Sequence, residues 1–200
     1  MAVAEQVRQD VGDVDILVNN AGIISVEDFL KLDEKRIMRT MAVNCLAHFW
    51  TCKAFLPAMW DNNSGHIVTI ASMSGKVGVP MLTDYTASKF AVVGFTESLE
   101  AEMKRDGKHG IYFTTVCPIH VDTNLVRGLG ETKSFSTGDE ELLQPDMVAR
   151  ITVEKTLQNQ RLVCIPAHVG ILEAIARCQP SKATALMMGI NKAGFFYTEK

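Results

Sequence analysis

No two cysteines in this sequence stand at CxxC spacing. The five that occur, Cys45, Cys52, Cys117, Cys164 and Cys178, are an odd number at irregular intervals. This excludes a secreted-type disulfide framework and predicts free thiols in a reducing compartment. The five histidines (His48, His66, His109, His120, His168) form no cluster with ligand spacing, so no metal site is expected. No run of about 18 apolar residues exists, and no membrane span is expected. The opening MAVAEQVRQD lacks the apolar segment of a signal peptide. Twenty basic residues stand against 23 acidic ones, for a formal net charge of -3. The basic residues gather into no stripe, which argues against a nucleic-acid partner. Internal repeats and low-complexity tracts are also missing.

What is present is the composition of a globular domain, with 47% hydrophobic and 22% charged residues in a chain of 200. That length suits one domain. Short apolar runs alternate with helical patterns. DILVNNAG (15–22), HIVTIAS (66–72), GIYFTTVCP (110–118) and RLVCIPA (161–167) read as strands. Residues 33–60, 85–104 and 145–160 read as helices, the last with Pro145 at its favoured first position. The tail from His168 reads as helical, with a break near Pro180. Strand and helix in alternation predict an α/β fold: a parallel sheet with helices on both faces. Ligands in such sheets gather at the carboxyl ends of the strands. The segments there are NNAG (19–22), ASMSG (71–75) and CPIHVDT (117–123). Between 122 and 144 the periodicity fails, and a segment of that kind reads as a substrate loop or a plain surface loop.

One helix begins DYTASKFAVVGF, with Tyr85 and Lys89 four positions apart. On a helix such residues share a face, with Cβ atoms about 5–6 Å apart. An ammonium near a phenol favours the phenolate and brings a group with a free pKa near 10 closer to acid–base work at neutral pH. Ser72, at the end of the preceding strand, would offer a hydroxyl to a substrate oxygen. By itself a Tyr-x-x-x-Lys occurs by chance in roughly one protein of this size in several, and the serine is also a common turn residue.

The surroundings give the pair its meaning. Asn19-Asn20-Ala21-Gly22, Asn44 in MAVNCLAHFW, Ser72, YxxxK at Tyr85 and Lys89, and CPIHVDT follow one another in the order found in short-chain dehydrogenases/reductases. The sequence resembles that family across nearly all of its length. WTCKAFLPAM, YTASKFAVVGFTESL and MMGINKAG resemble the subgroup of epidermal retinol dehydrogenase 2 and 17-beta-hydroxysteroid dehydrogenases 11 and 13. The resemblance implies a Rossmann-type sheet. It also implies reversible oxidation of a lipophilic alcohol, such as a retinoid or steroid, to its ketone or aldehyde, with NAD or NADP as cofactor and NAD favoured. By the same resemblance Tyr85 is the acid/base and Lys89 its activator and ribose ligand. Ser72 binds the substrate oxygen and Asn44 holds a relay water. Asn19, Ala21, Gly22, Pro118, Val121 and Thr123 line the cofactor. Ile119 stands where the family often has glycine. Homodimerisation is implied through the helices at 33–60 and 85–104.

One family feature is missing. No TGxxxGxG turn precedes NNAG, and Gly12 is the only earlier glycine. That turn normally lets backbone approach a pyrophosphate at a helix N-terminus. The expectation is therefore a partial domain over 1–200, lacking the first strands, with the DILVNNAG strand as an open edge. It would keep its reactive residues and bind cofactor poorly. The alternative is an inactive truncated variant that pairs with full-length relatives. The subgroup implies the endoplasmic reticulum membrane or lipid droplets, whereas this chain alone reads as soluble on the cytosolic side.

Overall fold

The structure, a computed structural model, describes residues 2–127 and 142–178. In chain order it comprises α1 (Ala2–Val11), β1 (Ile16–Asn19), α2 (Glu34–Met41), α3 (Ala47–Asn62), β2 (Gly65–Ile70) and α4 (Thr83–Arg105). Then follow β3 (Ile111–Pro118), the single turn α5 (Asn124–Arg127), α6 (Pro145–Leu157), β4 (Leu162–Ile165) and α7 (Ala167–Arg177). The strands form a four-stranded sheet in the order β1-β2-β3-β4, and each pair is parallel. This is the expected Rossmann-type half-sheet with helices on both faces. Two expectations, the break near Pro180 and most of the 122–144 loop, lie outside the described residues.

Alternation along the strands sorts the core into two layers, as a period of two requires. Ile67 and Phe113 point to the face covered by α3 and α4, where Met59 and Met103 join them. Val68, Val116 and Val163 point to the other face, where Val148 and Ile151 of α6 cover them. The connections through α4 and α6 both step across the sheet in the same direction but on opposite faces. They therefore have opposite hands, although about 98% of such crossovers are right-handed.

The helix read over 33–60 is interrupted. Asp33 caps its start, its carboxylate accepting from the Lys35 amide at 3.0 Å. Between α2 and α3, residues Ala42–Leu46 form one π-type turn. Such turns insert an extra residue and often occur at functional sites. α3 then ends at Asn63, which adopts the left-handed conformation with φ 46°.

Among the described residues β1 pairs with β2 alone, and Ile16 and Val18 are 49% and 52% exposed. The open apolar edge expected from the sequence is present.

Candidate active site

The C-terminal ends of β1 and β2 and the first two turns of α4 converge on one place. Ser72 lies two residues past the end of β2, and its Oγ accepts from the Ser74 amide at 3.1 Å, which fixes the turn. Gly75 lies in the same turn. A Cβ there would sit 2.8 Å from the carbonyl oxygen of Lys89, so the turn packs on the α4 backbone at a distance only glycine permits. Tyr85 and Lys89 lie one turn apart on α4 and are 7% and 3% exposed. The Lys89 Nζ donates to the Ile70 carbonyl at 2.9 Å and sits 5.7 Å from the centre of the Tyr85 ring.

Burial governs the charges. It raises the Tyr85 phenol above its ordinary value, and the neighbouring Ser72 hydroxyl draws it back down. Burial also lowers Lys89 to about 8. The resemblance implies a lowering of Tyr85 by Lys89; here burial dominates and the net direction is upward. Cys117, wholly buried beneath the pair, is pushed up to about 12 by desolvation and stays a neutral thiol. None of the five cysteines is bridged, as the spacing predicts.

Asn44, in the π-turn, is wholly buried. Its Oδ1 accepts from the Ile23 amide at 2.8 Å and its Nδ2 donates to the Ile23 carbonyl at 2.8 Å. The same Nδ2 reaches Ser88 Oγ at 3.1 Å, and Ser88 donates to the Tyr85 carbonyl at 2.6 Å. Asn44 thus ties the loop after β1 to the Tyr85 helix.

The residues expected to line a cofactor divide into two groups. Gly22 is at the centre: a Cβ there would lie 3.6 Å from Asn44 Oδ1 and 3.7 Å from Lys89 Nζ. The Gly22 backbone thus borders the Lys89 ammonium, whose bond to Ile70 leaves two of its three hydrogens. Ala21 is exposed beside it. Asn19 is different, because its side chain points inward. Its Oδ1 accepts from Thr51 Oγ1 at 2.7 Å, and its Nδ2 faces Cys52 Sγ at 3.8 Å. It fastens β1 to α3 and offers a ligand backbone only. Pro118 is buried at the end of β3, followed by Val121 and Thr123, which are partly exposed. Val121 pairs with Leu143, and the Thr123 amide donates to the Val121 carbonyl at 2.8 Å, which folds CPIHVDT into a tight turn.

Three buried residues escaped the sequence reading. Ser88 and Asp84 belong to the quoted DYTASK stretch, and helical spacing from Tyr85 would have found Ser88. His48 lies one turn beyond Asn44 and is 2% exposed, with no partner for Nδ1. Burial, and then the charge of Lys89, lower it to about 4. Among the described residues no group of His, Cys, Asp and Glu could hold a metal ion.

A parallel sheet that carries serine, tyrosine and lysine at its carboxyl edge is a dehydrogenase-type arrangement. The family model for short chain dehydrogenases matches residues 1–134, and the chain belongs to that family. It is 40% identical over 182 residues to 17-beta-hydroxysteroid dehydrogenase 13 of Homo sapiens, covering 91% of this chain and 59% of that protein. It is 44% identical over 184 residues to retinol dehydrogenase 10 of Homo sapiens, covering 92% of this chain and 54% of that one. The chain thus spans little more than half the length of these relatives. Among solved structures, a gluconate 5-dehydrogenase from Burkholderia cenocepacia J2315, in complex with NADP and tartrate, shares the fold. Its TM-score is 0.70 at 23% identity, over 82% of this chain and 67% of that one.

Proposed function

We propose that this chain carries the reactive centre of an NAD(P)-dependent alcohol oxidoreductase that interconverts a lipophilic alcohol and its ketone or aldehyde. The observation that carries the reading is the convergence of Ser72, Tyr85 and Lys89 beside Gly22 and Asn44. The names of the relatives support retinoid or steroid alcohols as the substrate class. A nicotinamide dinucleotide, when bound, supplies the hydride acceptor or donor. The chain's own residues do the rest. Ser72 Oγ orients the substrate oxygen. The Tyr85 hydroxyl gives its proton to a carbonyl oxygen in reduction and, as phenolate, takes one from the alcohol in oxidation. Lys89 holds a ribose hydroxyl with its remaining hydrogens and shuttles the proton onward, and Asn44 keeps the loop at Gly22 in place. NAD is the preferred form on resemblance. The resemblance to the subgroup supports a substrate-loop role for the segment 122–144 and a place at the endoplasmic reticulum membrane or a lipid droplet.

Because burial keeps Tyr85 protonated at neutral pH, reduction has its acid in place there, and oxidation gains as pH rises. Tyr85→Phe should lower turnover by about 100- to 10,000-fold, the usual worth of a positioned acid or base. NAD(P)H-linked absorbance with a retinoid or steroid substrate measures this. Unchanged turnover in Tyr85→Phe overturns the assignment.

A second reading rests on a different face. An open groove of about 830 Å³ runs between α3 and α4, lined by Phe49, Leu56, Trp60, Phe95, Leu99 and Met103. Ser72, Tyr85 and Lys89 lie outside its lining. Beside it Trp50 and Phe90 are 60% and 39% exposed. This apolar surface suits a second copy of the chain, or a full-length relative, joined through these helices. Light scattering of the chain and of Phe49→Glu tests it: a dimer that the substitution dissociates supports the pairing, and a monomer removes it. If such a dimer forms while dinucleotide does not bind, the non-enzymatic partner reading prevails.

A further inference from the structure

Asp84 directly precedes Tyr85 on α4 and is 5% exposed. Its Oδ2 accepts from Thr40 Oγ1 at 2.7 Å and from Ser25 Oγ at 3.1 Å. Its Oδ1 is buried with no hydrogen-bond partner. Thr40 lies in the last turn of α2, and Ser25 in the loop after β1. One carboxylate therefore joins three segments that are distant in sequence, at the first turn of the helix that bears Tyr85.

A carboxylate is a costly choice for this place. Burying a charge with an orphan oxygen costs free energy that a neutral side chain avoids. Its position in the first turn of a helix offsets part of that cost. Two flanking contacts repeat its connection. The Glu27 amide donates to the Met81 carbonyl at 3.0 Å, and Asn44 holds both backbone groups of Ile23. Met81 is in the left-handed region, with φ 61°, a conformation strained by about 1 kcal/mol for a side chain of this kind. The loop from Gly22 to Glu27 is thus stitched across the start of α4 at three points, and Asp84 is the only charged side chain among them.

We infer that Asp84, gripping Ser25 and Thr40, is a positioning residue that fixes the Tyr85 phenol against Ser72. It sets the angle of the first helical turn relative to β1 and β2, and so sets where the Tyr85 hydroxyl lies. This inference rests on the proposed role of Tyr85, and it is tested by a measurement that does not need turnover.

The chain contains three tyrosines, Tyr85, Tyr112 and Tyr197. Labelling with 3-fluorotyrosine gives three fluorine resonances, and Tyr85→Phe assigns the one of interest. Asp84→Asn, and Ser25→Ala combined with Thr40→Val, are expected to shift or broaden the Tyr85 resonance and leave Tyr112 in place. The double variant retains the carboxylate, so it separates the grip from the charge. Glu100→Gln is the control. It breaks the Glu100 contacts to Lys104 and Arg161 at the far end of α4. It is expected to lower stability without moving Tyr85. In turnover, Asp84→Asn should lower kcat by about tenfold with KM little changed, the pattern of a lost transition-state alignment. If the parent chain does not turn over, the proposed function fails while the fluorine spectrum still decides this inference. A Tyr85 resonance unmoved in folded Asp84→Asn and in the double variant overturns it, as does an equal shift in Glu100→Gln.

Discussion

The two edges of the region around β2 are built differently. Toward α4, every reactive side chain is buried and tied: Lys89 to Ile70, Asn44 to Ile23 and Ser88, Asp84 to Thr40 and Ser25. Toward β1, the sheet stops at a strand whose Ile16 and Val18 are half exposed. The difference teaches that the reactive centre is assembled by contacts internal to residues 16–118. The open edge, by contrast, has no strand partner among the described residues.

That contrast can be broken or sharpened by substitution. The largest effect is expected in the covered layer. Phe113 is 2% exposed beneath α3 and α4, and Phe113→Ala should cost about 3–5 kcal/mol in chemical denaturation. Next comes Gly75→Ala, whose new Cβ meets the Lys89 carbonyl oxygen at 2.8 Å. Because that atom is backbone, the Ser72 turn must move from α4. The expected cost is about 1–3 kcal/mol, with a loss of activity beyond the loss of fold, read by comparing denaturation with turnover.

A smaller effect concerns acid. His48 has a folded pKa of about 4, below its ordinary 6.5. In between, the unfolded chain binds more protons than the native one, so stability falls as pH falls. The contribution is complete above pH 6.5 and is lost as pH drops toward 4, with His66 and His120 acting in the same direction. Melting temperatures between pH 7 and 4.5 should fall less steeply in His48→Leu. The smallest effect belongs to the open edge. Val18→Lys should change stability by less than about 0.5 kcal/mol while reducing aggregation, since a charge on an edge strand discourages pairing. A cost comparable to that of Phe113→Ala would mean that β1 is covered after all.

Much of this was legible in the sequence because its signals are local. Strand–helix alternation gave the parallel sheet, and the spacing of Tyr85, Lys89 and Ser72 placed them at one sheet edge. Three features were not legible, for physical reasons. The π-turn at Ala42–Leu46 leaves only an irregularity in a broad apolar face, the five-residue step from Met41 to Leu46, so 33–60 read as one helix. The inward turn of the Asn19 side chain depends on Thr51 and Cys52, which lie more than thirty positions away in sequence. Asp84 carried no signal of its own, and its grip on Ser25 and Thr40 is a tertiary fact that no local propensity encodes. The direction of the Tyr85 shift also needed three dimensions, since burial decides it.

The most direct test of the account is binding of NAD(H) and NADP(H) to residues 1–200, followed by nicotinamide fluorescence, with Lys89→Ala and Tyr85→Phe alongside. The account predicts weak but saturable binding that Lys89→Ala reduces further. A folded chain that binds no dinucleotide, or binds it equally well without the lysine, would contradict it.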